Sequence, residues 1–150
     1  MSEAKKTKVY HINSIPVSLN DLYRVTIFKV RKKSGRGYMY QGKLRKSTEG
    51  LEFTEKVHRM IEAQGIEEYF PKGSRVELRA QVTVNRITRD VDNTLKILLD
   101  SLEEVLFDND NQVHQIIIRK IVRSKKVAQE SLQLQILELE DDYEYAPLFD

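Results

Sequence analysis

Val76, Leu78, Ala80, Val82 and Val84 alternate with polar neighbours over nine positions. This period of two predicts a strand with one buried face. On its amino-terminal side, Ser47 or Thr48 can cap a helix running to about Ala63. Its apolar stripe is Leu51, Phe53, Val57, Met60 and Ile61, and Gly65 ends it. On the other side, a second helix is expected from about Asp92 to Leu106, with Leu95, Leu98, Leu99, Leu102, Val105 and Leu106 along one side. Val113 to Val122 and Leu132 to Leu139 read as two further strands. Nearer the start, residues 9–15 (Val9, Tyr10, Ile12 and Ile15 among polar neighbours) predict a first strand. Pro16-Val17-Ser18-Leu19-Asn20 ends it, because proline cannot donate to a ladder and Ser and Asn favour turns. Tyr23 to Val30, β-branched and aromatic, predicts a second extended piece. This order suggests an α+β domain: a mixed, largely antiparallel sheet with two main helices packed on one face. The domain is expected to span residues 1–139, followed by an acidic tail, 140–150, expected to be disordered.

Composition narrows the chemistry. The chain has 150 residues, enough to bury a core without disulfides, and no cysteine. Thiolate metal sites and cysteine nucleophiles are therefore excluded. The polar start fits no signal peptide, and no run approaches the ~18 apolar residues of a membrane span. A cytoplasmic address is expected. The formal charge of +2 conceals an asymmetry. Residues 138–150 carry six acids and no base, which leaves 17 acids against 25 bases, a formal +8, over residues 1–137. A basic body points to a polyanionic partner, nucleic acid first. The tail could be a solvated end, or could fold back on the basic surface as a weak competitor for DNA. Residues 29–46 hold eight bases and no acid, with Tyr38 and Tyr40 among them and Gly35, Gly37 and Gly42 for flexibility. Such a segment can follow a phosphate backbone and stack on exposed bases. The plainer reading is a solvated loop with chance aromatics.

The chemistry concentrates between Arg89 and Val113. Asp90 and Asp92 are two apart at the junction of strand and helix, so an extended backbone projects them to one side. Asp108-Asn109-Asp110 follows the helix, and a chain that turns back would bring a third carboxylate near. Clustered carboxylates need a cation to stay ionised together, and magnesium prefers such oxygen ligands. Lys96, one turn after Asp92, could orient a carboxylate or meet the scissile phosphate. Each residue also has a plainer role. Asp92 is a good N-cap, Asp90 suits the helix dipole, Lys96 can pair with Asp92 and Asp100, and 108–110 can be an ordinary turn. His11, His58 and His114 are isolated in sequence and are expected to be structural or on the surface. No phosphate loop and no serine elbow is present.

Arg89-Asp90-Val91-Asp92-Asn93, then Lys96, Asp100 and Leu102, then Asp110-Asn111-Gln112-Val113, resembles the RusA family of Holliday junction resolvases. Its pattern is R-D-x-D-N-x-x-K-x-x-x-D-x-L, then D-D-x-Q-V. Pro16-Val17-Ser18-Leu19-Asn20 with Tyr23 is similar to the family's P-x-S-x-N segment, and Ser47-Thr48-Glu49-Gly50 with Phe53 resembles the lead-in to its first helix. The likeness spans about residues 12–139. It implies a homodimeric α+β nuclease that resolves four-way DNA junctions by paired, symmetric nicks with magnesium, manganese being the alternative ion. By the same resemblance, Asp90, Asp92 and Asp110 would be the catalytic metal-binding acids and Lys96 the catalytic lysine. Ser18, Asn20, Arg86, Arg89 and Asn93 would fall in DNA-contacting segments. Two departures matter. The family's paired acids are Asp108-Asn109-Asp110 here; anchoring on Gln112-Val113 selects Asp110, with Asp108 the alternative. The small residue or glycine usual late in the second helix is Glu104. Two other readings stay open: a non-catalytic, structure-specific DNA-binding protein, and a metal-dependent phosphohydrolase of nucleotides.

Overall fold

The computed structural model describes residues 7–14, 23–86, 92–124 and 130–149, side chains at 23–26, 44, 46 and 92–94 excepted. In chain order the elements are β1 (Val9–Ile12), β2 (Tyr23–Arg31), β3 (Tyr38–Lys46), α1 (Thr48–Gln64), β4 (Arg75–Val84), α2 (Asp92–Leu102), β5 (Val113–Val122) and β6 (Ser131–Leu139). A one-turn 3-10 helix, Asp110–Gln112, leads into β5. The main sheet has the order β1-β6-β4-β5, and β2 and β3 form a separate two-stranded ribbon. The main sheet is mixed: β4 runs antiparallel to β6 and parallel to β5, and β1 is antiparallel to β6. A parallel pair needs a crossover, which α2 supplies. The α+β architecture matches the expectation from sequence.

The alternation in β4 sets the core. Val76, Leu78, Ala80, Val82 and Val84 are all buried, beside Leu132, Leu134 and Ile136 of β6 and Tyr10 and Ile12 of β1. Each fully buried Val or Leu contributes roughly 1.5–3 kcal/mol relative to exposure. Both helices bury their apolar stripes in this same core, through Phe53, Val57 and Ile61 of α1 and Ile97, Leu98 and Leu102 of α2. The alternate sheet positions face the other way, where Val9, Ile117, Arg119 and Gln133 are exposed.

The start of α1 follows from local chemistry. The Ser47 side chain accepts the Gly50 N–H at 3.1 Å, and Gly65 ends the helix at φ 80° with its N–H bonded to the Glu62 carbonyl. The buried stripe is Gly50, Phe53, Val57 and Ile61, whereas Leu51, expected to be inside, is exposed. Spacings of three and four explain the substitution of Gly50 for Leu51. Gln64 ties the helix to β1 by acting as a strand partner. Its side-chain amide donates to the His11 carbonyl at 2.7 Å and its Oε1 accepts the His11 N–H at 2.8 Å. The first strand ends at Ile12, and Ile15, with the rest of residues 15–22, lies outside the described residues.

Helix α2 stops at Leu102, four residues earlier than expected. Val105, Leu106 and Phe107 stay buried, so the apolar pattern continues through the break and hides it. The reversal centres on Glu104 at φ 64°, with its N–H bonded to the Phe107 carbonyl at 2.7 Å. A left-handed backbone costs a side-chain-bearing residue roughly 1–2 kcal/mol and glycine much less. Glu104→Gly is therefore expected to leave stability unchanged or raise it by up to about 1 kcal/mol, after the entropy cost of glycine. Glu104→Val should lower it by about 1–2 kcal/mol. Urea denaturation midpoints compare the two; a glycine variant less stable than the valine variant would refute this account.

Among the described residues, no helix is long and apolar enough to cross a membrane.

Candidate active site

The chain reversal at Glu104 carries residues 108–112 back beside the last turns of α2. Lys96 and Asp100 sit one turn apart on that helix, and Lys96 Nζ donates to Asp100 Oδ1 at 2.9 Å. The same ammonium donates to Asp110 Oδ2 at 3.2 Å across the turn. The Lys96 pKa is pushed up, first by the hydrogen bond to Asp100 and further by the one to Asp110, with partial burial opposing both. Lys96 is therefore a cation at any physiological pH. Asp100, Glu103 and Asp110 each place a carboxylate oxygen within 4.8 Å of the others, and all three are half-buried. Three carboxylates this close to a single lysine leave a surplus of negative charge. Hard oxygen donors in such a set suit a divalent cation of the magnesium type.

The position of Asp110 is fixed by its neighbours. Its backbone N–H donates to Glu103 Oε1 at 3.0 Å. Asn109 and Gln112 form a reciprocal capping box around the 3-10 turn: the Asn109 side chain caps the turn, and the Asn109 N–H donates to Gln112 Oε1 at 2.9 Å. The buried Gln112 amide then donates into the 70–74 segment, with carbonyls of Phe70, Pro71 and Ser74 at 3.2, 2.8 and 3.3 Å. The turn bearing Asp110 is thus clamped to the loop that enters β4.

Asp108 faces elsewhere. It accepts the Tyr69 hydroxyl and, at 2.7 Å, the Lys72 N–H. The hydrogen bond to Asp108 pushes the Tyr69 phenol up to about 12, with burial and the nearby negative charges of Asp108 and Glu104 adding to it. Asp108 therefore anchors the 69–72 segment, while Asp110 meets the α2 charges.

Lys96 and Asp110, expected from the motif to act together, are in contact. Asp92 and Asn93 form the first turn of α2, one turn before Lys96, but their side chains are outside the description. Ser18, Asn20, Arg89 and Asp90 lie outside the described residues. Arg86 is exposed just past the end of β4. Lys96 makes the i, i+4 pair with Asp100 and also reaches Asp110. Glu103, one residue past the end of α2, escaped the sequence reading; its only signal was the spacing of three from Asp100. His11 and His114 are exposed, and His58 is half-buried on α1.

The acidic tail begins at the end of β6, where Arg75 Nη2 donates to the Glu140 carbonyl at 2.8 Å and lies 3.7 Å from Asp141 Oδ1. Residues 140–149 are exposed and form no helix or strand.

Comparison with known proteins adds the family. The model of the family described as endodeoxyribonuclease RusA matches residues 29–131, which covers α1, β4, α2, β5 and the Asp110 turn. No curated protein matches the chain. The match takes in more than two thirds of the sequence and the whole acidic cluster, so the chain belongs to the RusA endodeoxyribonuclease family and is an enzyme of the Holliday junction resolvase type.

Proposed function

We propose that this chain is a magnesium-dependent homodimer that resolves four-way DNA junctions by paired, symmetric phosphodiester cleavage, acting in cytoplasmic DNA recombination and repair. The observation that carries this reading is the meeting of Lys96 with Asp110 and Asp100 at the head of a half-buried acidic cluster. Asp90, Asp92 and Asp110 would hold the cation, magnesium or alternatively manganese, with Asp100 and Glu103 beside Asp110. Bound there, a divalent cation would supply a lowered pKa for an attacking water and charge neutralisation at the scissile phosphate.

The protein's own groups do the rest. Lys96, held protonated by Asp100, offers an N–H to a phosphate oxygen or to the departing 3′ oxygen, where negative charge grows. Ser18, Asn20, Arg86, Arg89 and Asn93 would contact the DNA and set its register against the acids. A dimer matches the two-fold character of a four-way junction, in which two equivalent strands must be cut.

Incubating the protein with a synthetic four-way junction and magnesium should yield two nicks placed symmetrically about the branch. Chelation should abolish the nicks while leaving the junction bound, and added manganese should restore them. Metal-independent binding with no nicks under any divalent ion would leave the non-catalytic DNA-binding reading in its place.

A further inference from the structure

Among the described residues, β2 and β3 pair with each other and with no other strand. The ribbon is paired along nine positions, from Tyr23 with Lys46 to Arg31 with Tyr38. Its tip is closed by Gly35 and Gly37 at φ 74° and 78°, with the Lys32 N–H bonded to the Gly37 carbonyl at 3.0 Å. Every described side chain from Ile27 to Arg45 is exposed except that of Val30, which is half-buried. At about 3.3 Å per residue the ribbon reaches roughly 30 Å. An isolated two-stranded ribbon is marginally stable in water, and this one presents large apolar side chains to solvent.

Directly opposed residues share a face, so Lys29 and Arg31 of β2 lie with Tyr38 and Tyr40 of β3 on one side. Lys29 Nζ sits 4.4 Å from the centre of the Tyr38 ring. Tyr40 is 74 % exposed and Tyr38 57 %. The side chains are therefore an alternating strip of rings and cations, within a segment of eight bases and no acid. Exposed rings can accept nucleobases face to face, and neighbouring cations can meet the phosphates. Closed duplex keeps its bases stacked and offers such a strip only phosphates. A branch point interrupts the helical stack and leaves bases that can turn onto a ring.

We infer that the Tyr38–Tyr40 face of the ribbon is a DNA-binding arm that stacks on bases at the branch point, and so selects junctions over duplex. This rests on the junction-resolving reading for the substrate, but it concerns binding and not cleavage. The opposite face carries Phe28 and Met39, both partly exposed. If a second copy of the chain covers the ribbon, the arm variants will also change the oligomeric state.

The test measures affinity for a four-way junction and for linear duplex of the same arm sequence, in chelator so that nothing is cut. Replacing both rings, Tyr38→Ala with Tyr40→Ala, should weaken junction binding at least tenfold and duplex binding less than threefold. The Tyr38→Phe, Tyr40→Phe pair, which keeps the rings, should stay within threefold of wild type on both. The salt dependence of duplex binding should not change, because no cation is lost. If the double alanine variant does not fold, Tyr40→Ala alone must still lower the junction-to-duplex ratio at least threefold. Equal losses on both DNAs, no loss on either, wild-type protein without preference for the junction, or a shift in sedimenting mass that accounts for the loss would each overturn the inference. Absence of cleavage by the wild-type protein with magnesium, with its junction preference intact, would count against the nuclease reading alone.

Discussion

Asp110→Asn is expected to lower junction cleavage by about 10²–10³-fold or more, with binding retained, and Asp92→Asn should behave in the same way. Asp108→Asn should cleave within about tenfold of wild type. The contrast follows from where the two acids of the 108–110 turn point. Asp110 meets Lys96 at 3.2 Å and shares its cluster with Asp100 and Glu103. Removing its charge both weakens the hold on a cation and leaves Lys96 paired with Asp100 alone. Asp108 instead binds Tyr69 and the Lys72 backbone. Its loss costs hydrogen bonds at the surface, about 1 kcal/mol of stability, and no charge from the cluster. Single-turnover cleavage of a labelled junction, with binding measured separately, compares the variants. If Asp108→Asn were the inactive one and Asp110→Asn the active one, the proposed ligand set would be wrong.

Gln112→Leu should cost about 2–4 kcal/mol of stability and reduce cleavage as well. The Gln112 side chain is buried, accepts the Asn109 N–H, and shares its amide protons among the carbonyls of Phe70, Pro71 and Ser74. A leucine of similar size fills the space but satisfies none of these groups, and buried groups left unpaired cost about 1–3 kcal/mol each. The clamp also fixes the turn on which Asp110 rides, so its release should loosen the acid relative to Lys96. Urea denaturation reads the first effect and cleavage at saturating protein reads the second. A variant with an unchanged denaturation midpoint would show that the clamp carries no stability. A destabilised but fully active variant would show that Asp110 does not depend on it.

Much of the fold was legible along the chain. The strict alternation of Val76 to Val84 named the central strand, because its apolar residues all point into one core. Ser47 and Gly65 marked the ends of the first helix through cap chemistry that depends on immediate neighbours. The ribbon was half legible: Tyr23 to Val30 reads as extended, but its partner strand lies in the basic, glycine-bearing segment, where composition masks pairing. The end of the second helix was hidden, because the residues after the break are as buried as those before it. Glu104 carried the trace of it, as a residue standing where the family favours a small one or glycine.

The candidate site divides along the same line. Spacing alone put Asp90 and Asp92 at one junction and Lys96 a turn later, since those relations are local and set by the period of strand and helix. The family pattern extended the set to Asp110 but left Asp108 as an alternative. Only the tertiary structure decided that Asp108 turns to Tyr69 and Lys72, 39 and 36 residues upstream, that Glu103 and Asp100 join Asp110, and that Gln112 locks the turn to the 70–74 loop. The physical reason is the chain reversal after Leu102. One left-handed residue redirects the backbone, and every contact that defines the cluster beyond α2 depends on that change of direction, which periodicity along a single element does not encode.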